Sequence, residues 1–361
     1  MPKQNIIGGE QPISPAILFK KSYKSVDKMV NNLKPDFFIN YTFGAHYSLL
    51  AIIDQIKNKI DPESYVLLPS YLCPTMLIPF KERKVNYRFY AIDEELFVDL
   101  DDLKSRICSN VKAVLFIDYF GVSQKDRLSE ILNILQDKKI PVIQDMVQCI
   151  DISRKNIIGD FAYNSFRKYL PFEGSILISK EEIHFKTSRP PVNYLFPKRL
   201  GQITRHYHLR KGWFKSSTFL SLFQKADRNY YKKDILKMPK AHFWLLNKIN
   251  FEALTDIHIA AFLKMKENLH DLMPELLKTK DFIPFGFVVK LRERDAVRKD
   301  LFKQNVFAPI HWDIPVEAQE AFLKSGNLAR KILTIPLKGL NNERIKIIEQ
   351  QIKKKHNESI S

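Results

Sequence analysis

Apolar and polar positions recur along the chain with two periods, and the switches between them mark out its elements. From Gly44 to Ile60 the apolar residues Leu49, Ile53, Ile56 and Ile60 repeat at helical spacing, and Asp61-Pro62 ends the run. Strands are expected over 65–68, 85–92, 111–118 and 140–144, with Leu128, Ile131, Leu132 and Leu135 forming one helix face between the last two. Residues 161–166 and 175–179 also read as strands. A basic and aromatic stretch, 184–240, has no clear period and is expected to be irregular. A long helix over 256–272 follows. The last part alternates again: strand 285–291, helix 292–304, strand 306–311, helix 316–325, strand 332–335 and a closing helix over 341–355.

Strands alternating with helices predict an α/β fold with a mostly parallel central sheet covered by helices on both faces. Residues 1–250 are expected to form a large domain and 251–361 a smaller C-terminal α/β domain. In such sheets ligands bind beyond the carboxyl ends of the strands, where Asp145 falls.

With 361 residues, 45% hydrophobic and 12% aromatic, the chain can bury a large core. Neither a signal-type segment nor a run of about 18 apolar residues is found, which predicts a cytoplasmic protein with no transmembrane segment. Cys73, Cys108 and Cys149 are odd in number and widely spaced, so they suggest neither a disulfide framework nor a zinc site, but buried or site-lining thiols. The net charge of +18 changes the picture less than its size suggests. The charges are spread along the chain and accompany no nucleic-acid-binding motif, so a solvated lysine-rich surface is the first reading, with an anionic substrate and a membrane or nucleic-acid partner after it.

Three segments at expected strand ends carry chemistry. In Pro141–Gln148, Asp145 directly follows a buried strand and is placed to face a ligand, although a lone aspartate there is more often a helix cap. In Gly159–Ser175, Lys168 stands beside Arg167; a lysine whose pKa is lowered by burial or a neighbouring cation can attack a carbonyl. The third segment pairs Gly44-Ala45-His46, at a helix start able to hold a phosphate, with Tyr71 and Cys73 after the next strand, where an aromatic can stack on a flat ring. His311-Trp312 follows a strand of the C-terminal part and could face a substrate, though a histidine there is more often structural.

Taken together, the residues resemble the pyridoxal-phosphate (PLP) aminotransferases of fold type I that act on nucleotide-linked keto sugars, the DegT/DnrJ/EryC1/StrS family. The resemblance runs through most of the chain: Ile7-Gly8-Gly9-Glu10, the Gly44 helix start, Leu68–Tyr71, the stretch from Phe89 to Leu103, Asp118–Gly121, Ile143–Gln148, Gly159-Asp160, Ser165-Phe166-Arg167-Lys168 and Ile335-Pro336-Leu337. It implies Lys168 as the Schiff-base lysine and proton shuttle, Asp145 as partner of the ring nitrogen and Gln148 near the phenolic oxygen. It also implies Ser165, Gly44 and Ala45 at the phosphate, and Tyr71 or Cys73 over the ring. Arg167 and His311 are candidates for substrate contact. The implied reaction moves an amino group, typically from glutamate, to a nucleotide-linked keto sugar for a surface polysaccharide or glycan, in a homodimer that binds no nucleic acid.

The chain departs from the family pattern in three places. Ser165 and Lys168 are three apart, which is a compact form; Ala45 replaces the usual threonine, leaving Thr42 and His46 as neighbouring polar groups; and Glu252-Ala-Leu254, with Asn250 nearby, replaces a segment usually carrying Asn and Arg. Members that remove a hydroxyl carry histidine in place of the lysine, and Lys168 is retained here. The alternatives are a PLP enzyme acting on a non-nucleotide keto substrate and a relative that has lost catalysis and serves as a binding or regulatory protein.

Overall fold

The computed structural model describes residues 6–57, 61–150, 152 and 156–358, so Ile60, the last apolar position of the first expected helix, lies outside the described residues. From the N-terminal side the elements are β1 (Ile7–Gly8), α1 (Ser25–Leu33), β2 (Phe38–Thr42), α2 (Ala45–Lys57), β3 (Tyr65–Pro69), α3 (Leu77–Arg83), β4 (Tyr87–Tyr90) and α4 (Leu100–Arg106). Next come β5 (Val111–Ile117), α5 (Ser129–Asp137), β6 (Val142–Asp145), β7 (Phe161–Tyr163), β8 (Ser175–Ser179), α6 (Val192–Lys211), α7 (Ser216–Asp227), α8 (Lys240–Leu246) and α9 (Phe251–Leu269). The chain closes with β9 (Phe287–Lys290), α10 (Arg294–Lys303), β10 (Val306–Phe307), α11 (Val316–Ala321), α12 (Leu323–Lys331), β11 (Ile332–Ile335) and α13 (Asn342–Glu358).

Seven strands make one sheet in the order β2-β8-β7-β6-β5-β3-β4. Only β8 runs against the others, pairing antiparallel with both β2 and β7, while the pairs β7–β6, β6–β5, β5–β3 and β3–β4 are parallel. Strands buried on both faces need apolar residues throughout, and β3 and β8 are buried at every position. The architecture is therefore the mostly parallel α/β sheet expected. Its carboxyl ends, at Thr42, Pro69, Ile117, Asp145 and Tyr163, lie along one edge, and α2 starts three residues after β2.

In the C-terminal part β9 and β11 pair antiparallel, and β10 pairs with β1 in parallel, joining the first described strand to the end region of the chain. Three expectations need correction. The stretch 184–240 is not irregular: it contains the hairpin α6–α7, in which Phe219 and Phe223 are buried and Gly201 has no Cβ to block the Phe223 ring. The strand expected over 306–311 ends at Phe307, since Pro309 has no amide hydrogen to donate to a ladder. The helix expected over 316–325 is two helices, divided at Phe322, where φ −131° and ψ 84° leave the helical region.

Candidate functional site

Asp145 ends β6 in the centre of the sheet and is buried, as is Tyr163 at the end of the adjacent β7. The Tyr163 hydroxyl donates to Asp145 Oδ2 at 3.0 Å and the Val147 amide to Oδ1 at 2.8 Å. Burial raises the Asp145 pKa to about 6, against these two donors and the nearby Lys168, all of which lower it. Asp118, after β5, is raised to about 8 by burial and by Asp145, while the Gln144 amide donates to its Oδ2 at 2.8 Å. The raised pKa of Asp118 favours its neutral form, which lessens the like charge beside Asp145.

Lys168 closes the short turn Phe166–Lys168 in the β7–β8 connection. Its backbone is tied back to Ser165 O, while Phe166 N donates to Gly174 O at 3.0 Å and Ile176 N to Asn164 Oδ1 at 2.8 Å. The Nζ has no hydrogen bond or ion pair among the described residues. The side chain keeps some accessible surface through the cavity, yet protein surrounds its amine. Burial and the Arg167 cation lower its pKa, opposed by Cys73, Asp145 and Glu10.

Gln148 lies past the β6 end, its Oε1 accepting from the Phe120 amide at 2.7 Å. Its Nε2 is buried without a partner among the described residues. Ala45, Cys73, Asp145, Gln148, Ser165, Arg167 and Lys168 line one narrow slot of about 90 Å³. Gly44 stands at its margin, where an added Cβ would run into the Tyr230 hydroxyl. Tyr71 is wholly buried behind the wall, its hydroxyl bonded to the His311 carbonyl and its ring 5.7 Å from Trp312. His311 lies outside the slot, its Nδ1 3.0 Å from Thr334 Oγ1 and its pKa lowered to about 3 by burial and by Lys168.

Several lining residues were not singled out in the sequence, namely Tyr163, Tyr230, Tyr231 and Thr75, while Trp312, marked there beside His311 as facing a substrate, also lines the slot. Tyr230 is buried, its hydroxyl has no hydrogen bond among the described residues, and the Arg167 guanidinium lies 4.5 Å from its ring centre. The two near substitutes for the missing threonine are differently engaged. Thr42 Oγ1 donates to Gly44 O at 3.0 Å and sits 2.8 Å from Ser48 Oγ, whereas His46 lines the slot with its Nε2 3.8 Å from Glu82 and its pKa lowered to about 4 by burial. Asn250 caps α9 by accepting from Ala253 N at 3.1 Å. Of the cysteines, Cys149 is buried and Cys73 lines the slot, but Cys108 is exposed, contrary to the expectation for the thiols.

An outer cleft of about 790 Å³ also reaches Lys168, Arg167 and His311, and is walled by Gly8–Gln11 and by the C-terminal part, including Asp295, Arg298, Lys299 and Lys338. Lys168 therefore stands between an inner slot and an outer cleft.

This architecture is the fold of the PLP-dependent aminotransferases of fold type I. Among solved structures, Spr1654 of Streptococcus pneumoniae, described as a sugar aminotransferase and known in PLP, PMP and apo forms, superposes in its PLP form with a TM-score of 0.69 at 12% identity, over 99% of this chain and 100% of that one. A DegT/DnrJ/EryC1/StrS aminotransferase from Brucella abortus gives 0.66 at 16% identity, over 96% of this chain and 91% of that one. A curated relative, the GDP-4-keto-6-deoxy-D-mannose 3-dehydratase of Yersinia pseudotuberculosis, is 25% identical over 162 residues, 39% of this chain; the match spans 40% of that relative's length. No family model matches the chain. Among the described residues, no helix is long and apolar enough to cross a membrane.

Proposed function

We propose that the chain is a PLP-dependent aminotransferase that transfers an amino group from an amino acid, glutamate by the family resemblance, to a keto sugar carried on a nucleotide, for a surface polysaccharide or glycan. The observation that carries this reading is the placement of Lys168 and Asp145 in one slot at the carboxyl ends of the strands, with no partner for the amine of Lys168 or the amide nitrogen of Gln148 among the described residues.

These residues fit the cofactor. Asp145 would hold the protonated ring nitrogen, Gln148 Nε2 would donate to the phenolic oxygen, and Cys73 and Trp312 would flank the ring. Ser165, the free amides opening α2, the Tyr230 hydroxyl and Arg167 would hold the phosphate. When bound, the cofactor supplies an electron sink conjugated to the reacting carbon.

The rest of the chemistry falls to the protein. The lowered pKa of Lys168 favours its neutral amine, the form able to join the cofactor and then to take a proton from the donor's Cα and return it elsewhere. Asp145, its oxygens already held, would keep the ring nitrogen of a bound cofactor protonated. The outer cleft offers Arg298, Lys299 and Lys338 to a diphosphate, and its volume falls in the range of ligand sites, roughly 300–1,000 Å³. We place the cofactor on residues 1–250, and in our reading 251–361 forms the smaller domain that walls the substrate cleft. Retention of Lys168 favours amination over the dehydration named for the Yersinia relative. The family resemblance also implies a homodimer.

The test is the visible spectrum with added PLP. A borohydride-reducible band near about 410–430 nm, absent in Lys168→Ala, is expected. If both proteins lack the band, the catalytic reading fails and a non-catalytic binding role takes its place.

A further inference from the structure

Between Arg189 and Arg228 the chain holds nine Lys or Arg residues and one acid, Asp227. That acid is already engaged, 3.5 Å from the buried Lys198, which also meets Glu10 at 2.8 Å. Arg199 turns inward to Glu173, and Arg205 is buried. Arg210, Lys211 and Lys215, at the tip of the hairpin, are exposed and have no ion pair among the described residues.

Beside these cations lies apolar surface where a solvated helix would be polar. Val192, Phe196, Leu200, Ile203 and Tyr207 follow one another at three- and four-residue steps, so they form one stripe along α6. Val192 is 75% exposed and Phe196 66%. At the tip the stripe meets Trp213, also 66% exposed, whose ring stacks on Tyr207 at 5.4 Å and 9°. Phe214 and Leu220 add further exposed apolar surface.

We propose that the α6–α7 hairpin docks the protein on an anionic lipid surface, with the α6 stripe and Trp213 in the headgroup region and the tip cations on lipid phosphates. Cations and an aromatic-rich apolar stripe on one element suit a helix lying in a membrane interface. Crossing is not implied, since no described helix could span a bilayer. A two-fold contact between copies of this chain would bring two strongly basic hairpins together, which charge disfavours. Nucleic acid would use the cations but leave Val192, Phe196 and Leu200 without a role.

The experiment sediments the full chain with vesicles of phosphatidylcholine, alone or mixed with phosphatidylglycerol. Binding to the mixed vesicles only is expected. Replacing Arg210, Lys211 and Lys215 together by Gln should weaken it on the order of a hundredfold, about fivefold for each cation. Phe196→Ser with Trp213→Ser should also weaken it at unchanged charge, with the thermal melting curve confirming that the variants fold. Absence of binding to the mixed vesicles, or binding that all these variants retain, would overturn the proposal. So would a drop in oligomer size in the Phe196→Ser, Trp213→Ser variant, measured by light scattering, which would assign the face to a second copy.

Discussion

Tyr163 donates its hydroxyl to Asp145 across the ends of two neighbouring parallel strands, 3.0 Å from oxygen to oxygen. That bond lowers the carboxyl pKa. Tyr163→Phe should therefore move the acidic limb of the kcat/KM profile to higher pH while leaving the sheet intact. An unchanged limb would show that another group sets it.

Asp145 should cost the cofactor-free protein stability. Its folded pKa of about 6 lies above the ordinary aspartate value of 3.8, so the native state binds the proton more tightly, and stability falls as pH rises from about 4 to 6 and stays lower above that. Asp145→Asn should then raise the stability of the cofactor-free protein at pH 8 by roughly 2–3 kcal/mol, with the gain vanishing near pH 4, while abolishing transamination. Thermal melting of both proteins at the two pH values measures this; a gain of equal size at both would point to packing instead.

Tyr230 is expected to act on the phosphate alone, whereas Arg167 also lowers the Lys168 pKa. Tyr230→Phe and Arg167→Gln should each weaken PLP binding roughly tenfold to a hundredfold, the loss of a charge-assisted hydrogen bond, and Tyr230→Phe should leave pyridoxal, which has no phosphate, unaffected. Fluorescence titration with both compounds gives the comparison. Equal losses for the two would refute a phosphate role without touching the assignment of Lys168.

The outer cleft makes a different demand. Arg298→Gln and Lys338→Gln should raise KM for a nucleotide-diphosphate keto sugar about tenfold each with kcat nearly constant, and the effect should shrink at high salt. Steady-state kinetics at two ionic strengths is the measurement. A fall in kcat alone would place these cations elsewhere in the reaction.

The inner strands of the sheet were legible because they are buried on both faces and so write largely apolar runs, as in 111–117 and 175–179, whereas the edge strand β2, buried only at Thr42, was not read from the sequence. Asp145, Gln148, Ser165 and Lys168 could be found because each follows such a run. Helix α6 was hidden for the opposite reason: its buried side includes Lys198, Gln202, Thr204 and Arg205, its exposed side includes Val192, Phe196 and Leu200, and Pro197 lies within it. Polarity there runs against burial, and a pattern read for a core finds none. Tyr230 and Tyr231 escaped because they approach the slot from a segment far away in the sequence.

The β7–β8 connection that carries Lys168 is pinned to the sheet at both ends, through Asn164 to Ile176 and through Phe166 to Gly174. The backbone beneath the amine is thus a fixed mount, and the motion needed to pass a proton between two carbons has to come from the four rotatable bonds of the lysine stem. Such rotations belong to picoseconds and nanoseconds, while rearrangements of loops and domains extend to microseconds and beyond. In the proposed reaction the amine therefore works like a crane arm on a fixed base, and its reach from one carbon to the other does not wait on any movement of the backbone beneath it.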